Sequence, residues 1–145
     1  MKVNFKKLTN TAHVPTRGSV RAAGYDLYAD IAEPVMIPPH TTVKFPTNIA
    51  VELPEDTFGG IYARSGMATK RNLRPANAVG ILDCDYRGNI IVALHNDSDF
   101  PQIVEVGERI AQLIIQPYLN VEFNKVDNLS ETERGNSGFG STGTK

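Results

Sequence analysis

The chain is poor in the residues that most often announce a site. It has one cysteine, Cys84, in 145 residues. That excludes an internal disulfide and suits a reducing compartment, so a cytoplasmic setting is expected. Asp83 and Asp85 flank the thiol and disfavour its thiolate, and Cys84 therefore reads as inert rather than nucleophilic. The three histidines, His13, His40 and His95, share no ligand spacing, and no zinc site is expected. No apolar run approaches membrane-spanning length, and the opening stretch MKVNFKKLTN holds no apolar core of signal-peptide type. Charge of neither sign prevails: 15 basic residues stand against 16 acidic ones, for a net charge of −1 and a pI near 6.3. That is too little for the positive face of a nucleic-acid binder, although a few local arginines suffice for a small anion. There is no internal repeat.

What is present is the pattern of a β protein. Hydrophobic content of 41% and charged content of 21% are those of an ordinary globular chain, and the length suits one domain. Apolar and polar residues alternate with period two in VNFKKL, in TVKFPTNIAVEL (42–53), in GGIYA, in AVGIL and IIVAL, and in IVEV, RIAQLIIQ and VEFNKV. Turn signals separate them: Pro38-Pro39, PED at 54–56, DSD at 97–99, and Gly107. Only SGMATKRN (65–72) reads as helix, with Ser65 as its N-cap. Many short strands at this spacing predict an all-β sandwich or barrel. From Asn128 the composition changes, and Leu129 and Phe139 are the only large apolar residues of NLSETERGNSGFGSTGTK. This segment cannot build a core. It is expected to be mobile when empty, and its 18 residues reach about 60 Å when extended, enough to cross onto a neighbouring subunit. The expected organisation is a domain over 1–127 and a flexible arm over 128–145.

Several segments carry more chemistry than their structure requires. GFGSTG (138–143) satisfies G-x-G-x-x-G, but that fingerprint needs a following helix, and only two residues follow Gly143. What survives is a run of small residues whose backbone N–H groups can curl around an anion, with Arg134 for charge and Phe139 to stack on an aromatic ligand. ARSGMATK (63–70) offers either a capped helix beside a solvated arginine or a phosphate cradle built from Arg64, Ser65 and Gly66. AAGYDLYA (22–29) sets Asp26 between two tyrosines, facing water or standing near a metal-bound polyphosphate. In ERIAQLIIQ (108–116), Gln112 shares a strand face with Ile110 and Ile114, so its amide needs a partner, structural or ligand. Asn77 offers one donor and one acceptor to the edge of a base or of a strand. GILDCDYRGNI (80–90) places two carboxylates, a thiol, a tyrosine and an arginine between two apolar arms. A simple reversal would use Asn-Gly alone.

Taken in order, AAGYDLYA, ARSGMA, GILDCDYRG, GERIAQLI and RGNSGFGSTG resemble the five motifs of the trimeric dUTP pyrophosphatases (dUTPases), from about residue 22 to 143. The departures are Ala63 where the family often has proline, Leu82 where isoleucine is usual, and Ser137 in place of a glycine. The resemblance implies an all-β, jelly-roll-like antiparallel β-barrel with one short helix and a flexible C-terminal arm. It implies a homotrimer with active sites between subunits, no membrane or nucleic-acid partner, and Mg2+-assisted hydrolysis of dUTP to dUMP and pyrophosphate. By that resemblance Asp83 is the general base for water attack on the α-phosphorus. Asn77, Gly80, Ile81, Leu82 and Ile91 hold the uracil, and Tyr86 packs on the deoxyribose. Arg64, Ser65, Gly66 and Gln112 bind the phosphates. Arg134, Phe139, Gly140, Ser141 and Thr142 close over the substrate. Asp26 meets the metal through water. Asp85, Arg87 and Gly88 are expected to shape the turn or to lie at an interface, and Arg109 to form a structural ion pair rather than touch substrate. The dCTP deaminases are also similar, but Tyr86 in this turn fits the dUTPase pattern better.

Overall fold

The structure is a computed structural model and describes residues 2–138. Along those residues run β1 (Asn4–Lys7), β2 (Tyr25–Tyr28), β3 (Val35–Ile37), β4 (Thr42–Pro46), β5 (Ile49–Glu52), β6 (Thr57–Tyr62), α1 (Ser65–Arg71), β7 (Leu73–Pro75), β8 (Gly80–Leu82), β9 (Ile91–Asn96), β10 (Gln102–Val104) and β11 (Arg109–Pro117). All pairings are antiparallel, in four sheets ordered β1-β5, β10-β3, β2-β11-β6-β8 and β4-β9-β7. The sheets wrap one apolar core in a jelly-roll-like arrangement, and no ladder closes into a full barrel among the described residues.

Strand alternation accounts for the core. On β9, Val92, Leu94 and Asn96 are buried while Ile91, Ala93 and His95 face outward or lie partly covered. The long alternating stretch 42–53 is not one strand. Asn48 takes a left-handed backbone, φ 50°, and breaks it into β4 and β5. Buried Thr47 at the break gives its hydroxyl and its N–H to the Ile90 carbonyl, at 2.8 and 3.0 Å. Phe45, Leu27, Leu94 and Ile110 are among the largest apolar side chains wholly removed from solvent.

Two expectations need correction. Ser65 is the first helical residue of α1 and not its cap. The capping position belongs to Arg64, whose extended backbone precedes the helix and whose side chain makes no capping bond. VEFNKV forms no strand: residues 118–137 are exposed and pair with no strand among the described residues, and Phe123 is 96% exposed. Alternation alone makes no strand when no edge within the chain receives it. The exposed segment thus begins at Tyr118, earlier than the change of composition at Asn128. No helix among the described residues is long and apolar enough to cross a membrane.

Asn96 ties three carbonyls together at the far end of β9. Its Nδ2 donates to Ile37, Pro38 and Phe100 at 3.1, 3.3 and 2.8 Å, and its Oδ1 accepts from the Ser98 N–H and hydroxyl at 3.0 and 2.7 Å. Replacing it by alanine strands buried polar groups, so Asn96→Ala should lower unfolding free energy by about 3 kcal/mol in urea titrations.

Candidate active site

The pocket arises where a ladder splits. β7 pairs with β9 from Leu73↔Asn96 to Pro75↔Leu94, and Ala76 N–H still donates to the Ala93 carbonyl at 2.8 Å. Beyond Ala76 the two chains part. A tight turn follows, with Val79 N–H bonded to the Asn77 carbonyl at 2.7 Å and Ala78 at φ 61°. β8 then joins β6, with Gly80 opposite Ile61 and Leu82 opposite Gly59, while Ile91 pairs with Pro46 of β4. The segment that reads as a simple hairpin therefore has its arms in two different sheets, because each arm buries its apolar face better against a neighbour than against the other arm.

Between the parted arms lies a cavity of about 230 Å³. Asn77, Gly80, Ile81, Leu82, Asp83, Tyr86 and Ile91 line it, so the structure brings together all seven hairpin residues singled out from the sequence. Ile61, Asn89 and Ile90 line it as well. Asn89 sat inside the quoted segment without an assigned role. Ile61 belongs to a strand that only the sheet order brings near. Asp83 is exposed at the mouth and also borders a wider cleft of about 560 Å³ with Phe58, Cys84, Asp85 and Tyr118. Cys84 is half-buried against the core.

The turn is braced by its own polar groups. Tyr86 N–H donates to the Asp83 carbonyl at 3.1 Å, and its hydroxyl donates to the Asn89 carbonyl at 3.1 Å. A side chain on Gly88 would put its Cβ 2.4 Å from the Tyr86 hydroxyl, so the ring can lie across the turn only because that residue is glycine. Arg87 Nη1 donates to the Cys84 and Tyr86 carbonyls at 2.6 and 3.1 Å, the turn-shaping part expected of it.

A second cluster gathers around Asp26. Its Oδ1 accepts from Arg64 Nε at 2.8 Å and its Oδ2 from Arg109 Nη1 at 3.2 Å, and Arg64 Nη1 also reaches the Arg109 carbonyl at 3.1 Å. The Asp26 side chain is 13% exposed, so one well-covered carboxylate offsets two guanidiniums. The Arg109 ion pair expected from the sequence is present. Gln112 stands opposite both Asp26 and Tyr62 in the sheet, and its Nε2 donates to the Ala63 carbonyl at 2.9 Å. Gly24 makes room for it, since a Cβ there would fall 2.3 Å from Gln112 Oε1. Ser65 and Gly66, both exposed, open α1 beside Arg64. Among the described residues no group of three or more His, Cys, Asp or Glu could hold a metal ion.

The two clusters occupy opposite ends of β6. Continuing the register puts Asp83 level with Phe58, whereas Arg64 follows Tyr62 at the other end. Six residues of extended chain separate those levels, about 20 Å. Within one chain the structure does not bring Asp83 to Arg64, Ser65 and Gln112. Arg134 is exposed, and its Nε donates to the Ser137 carbonyl at 2.9 Å. Gly135, not Ser137, carries the positive φ of that turn. Phe139, Gly140, Ser141 and Thr142 lie outside the described residues.

These features define a small antiparallel β protein with a nucleoside-sized cleft at one end of a strand and an arginine-rich cluster at the other. The dUTPase family model matches residues 10–143, and the chain belongs to that family. It is 45% identical over 145 residues to the deoxyuridine 5'-triphosphate nucleotidohydrolase of Hydrogenobaculum sp., with 100% of both chains covered. The enzyme of the same name from Desulfitobacterium hafniense is 42% identical over 144 residues, covering 99% of this chain and 95% of that one. Among solved structures, the dUTPase of Staphylococcus bacteriophage 80alpha with dUPNHPP superposes with a TM-score of 0.90 at 31% identity, over 99% of each chain.

Removing the Asp26 carboxylate leaves Arg64 and Arg109 facing each other without a counter-charge. Asp26→Ala should therefore cost about 2–4 kcal/mol of stability, read by denaturant unfolding at low salt and less at high salt.

Proposed function

We propose that the protein hydrolyses dUTP to dUMP and pyrophosphate, with uracil seated between β8 and β9. The observation that carries this is the cleft left by the split ladder, with Asp83 at its mouth, in a chain of the dUTPase family. Among the described residues, the edge of β8 turned away from β6 and the edge of β9 at Ile91 turned away from β4 have no strand partner, so their backbone groups are open to the edge of a base. The Asn77 amide adds a donor and an acceptor. Cytosine presents the opposite polarity at its four-position and would leave a buried group unpaired, and a thymine methyl would meet the walls of a narrow cleft. Tyr86, braced over the turn, packs against the deoxyribose and leaves no room for a 2′-hydroxyl.

Asp83 accepts a proton from water as the new O–P bond forms at the α-phosphorus. The bond to the bridging oxygen breaks, and pyrophosphate leaves with the electron pair. Arg64, oriented by Asp26, pairs with phosphate oxygens, and Ser65 and Gly66 offer the unpaired N–H groups of a helix start. Gln112 spends one amide hydrogen on Ala63 and keeps the other for a phosphate. The substrate phosphates, with Asp26 near them, would hold Mg2+, and that ion would supply charge neutralisation on the triphosphate, as suits a cation usually held by phosphates and one or two carboxylates. Each Asp26 oxygen keeps one lone-pair site beyond its arginine bond, enough to meet that ion through water. The arm then closes. Phe139 stacks on uracil while Arg134, Gly140, Ser141 and Thr142 cover the phosphates and exclude bulk water. The arm as a unit, residues 128–145, is thus functionally separate from the domain formed by 1–127.

Because Asp83 and Arg64 stand about 20 Å apart along β6, a complete site takes Asp83 from one copy and Arg64 from another, which supports sites between subunits; that the assembly has three copies is what the resemblance to the trimeric dUTPases implies.

Pyrophosphate release from dUTP and Mg2+ tests the reaction, and no release would end the reading. Asp83→Asn should reduce kcat by about 10²–10⁴-fold while nucleotide binding persists. Undiminished turnover removes Asp83 from its role as base. Mixing inactive Asp83→Asn and Arg64→Ala proteins under exchange should restore activity, since mixed assemblies contain sites with both halves intact. A mixture that stays inactive places the whole site in one chain. Deleting residues 134–145 should leave the assembly intact with turnover nearly abolished, and full activity would remove the arm from the reaction.

A further inference from the structure

A polar relay reaches the pocket from outside the five motifs. Asp30, just after β2, accepts hydrogen bonds from Asn48 Nδ2 at 2.8 Å and from the Thr9 hydroxyl. Asn48 Oδ1 in turn accepts from Asn89 Nδ2 at 2.7 Å. The Asn89 carbonyl receives the Tyr86 hydroxyl. Four segments distant in sequence are thus linked in series, from the loop after β1 to the ring at the sugar wall.

The polarity of this series is dictated from one end. An ionised carboxylate only accepts, so Asn48 must turn its NH₂ toward Asp30 and its oxygen toward Asn89. Asn89 must then turn its own NH₂ toward Asn48, which leaves its Oδ1 facing the other way. That oxygen is buried and has no partner among the described residues. Asn89 is therefore oriented by Asn48 at the expense of its own local satisfaction. Asp30 is kept in the accepting form. Burial pushes its carboxyl up, but hydrogen bonds from Thr9, Asn48 and Thr11 and the charge of His13 outweigh this and hold it below the ordinary 3.8.

Asn48 is suited to the link by its backbone. At φ 50° it is left-handed, a conformation that asparagine tolerates better than most residues, and its carbonyl also accepts Leu8 N–H at 2.8 Å. This fixes the side chain at the junction of β4 and β5, directly under the returning arm of the split ladder, where Ile90 N–H bonds to the Ile49 carbonyl at 2.9 Å.

We propose that Asp30, Asn48 and Asn89 are positioning residues that hold Tyr86 against the sugar side of the pocket, so that rejection of ribonucleotides is set in part by a carboxylate remote from the substrate. The proposal rests on the reading of Tyr86 as the wall that excludes a 2′-hydroxyl. None of the three touches the reacting atoms. Their effect is on the aperture beside the 2′-carbon and not on the chemical step.

Asn48→Gly is the informative variant, because glycine accepts φ 50° without strain and removes only the relay. The readout is the ratio of kcat/KM for dUTP over UTP, measured on one preparation so that the folded fraction cancels. The ratio should fall about tenfold in Asn48→Gly and in Asn89→Ala, the size of effect expected when a steric wall loosens. The double variant should fall no further than the worse single one, because both break the same series. The kcat for dUTP should change much less than the ratio. Unchanged ratios in both single variants would overturn the proposal, and so would additive losses in the double variant. A crystal structure of Asn48→Gly reads the relay without any activity. Tyr86 should leave its bond to the Asn89 carbonyl, and a ring still in place would also refute the relay. If the parent protein releases no pyrophosphate from dUTP, the functional reading fails, while the crystallographic arm still decides whether the relay holds the ring.

Discussion

The parting of the β7–β9 ladder at Ala76 is the constraint on which the rest of the site depends. Had β8 continued along β9, the segment 80–90 would be an ordinary hairpin, and both arms would spend their backbone groups on each other. Instead β8 is drawn to β6 and the start of β9 to β4. The facing edges are left open, and the cleft between them forms with its acceptors and donors already aligned. Buried Leu82 and Ile90 anchor the two arms on opposite sides of that gap. The binding surface is therefore a by-product of how apolar faces were shared among sheets.

At the other end of β6, carboxylate chemistry serves to hold rather than to react. Asp26 fixes Arg64 and Arg109 from a nearly covered position, so the Arg64 guanidinium is already ordered in the absence of any anion. Such preorganisation reduces the entropy lost on binding. Asp30 acts similarly on an asparagine. In both places a charged group orients a neutral or cationic neighbour, while Asp83, the carboxylate that lines the cleft, stays open to solvent.

The strands of strong alternation were legible in the sequence because burial of one face imposes period two, as in IIVAL, whereas in RIAQLIIQ the strand is found but a register shift between Arg109 and Ala111 buries the adjacent Ile110 and Ala111 together. The five motifs also pointed to the right chemistry, and seven hairpin residues meet in one pocket. What could not be read has physical reasons. β3 and β7 are three residues each, too short for a period to emerge. The αL break at Asn48 falls within a stretch whose apolar period resumes in phase on the far side, so only the local run Pro46-Thr47-Asn48 marks it. Ser65 suits a cap, yet the chain uses Arg64 there, because its side chain is claimed by Asp26 on another strand. VEFNKV alternates without an internal partner. The Asp30–Asn48–Asn89 series joins residues 18 and 41 positions apart, and no local pattern signals it.

A gap bounded by two sheets has its width set from below, by the thickness of what fills the space between them. Phe45, Val92 and Leu94 belong to the core, and none of them lines the cleft. Trimming a methyl group among them lets the sheets settle closer or tilt, and this changes the calliper that gauges the base. For this architecture, fidelity and compactness are coupled quantities, and selection for one acts on the hydrocarbon interior of the other.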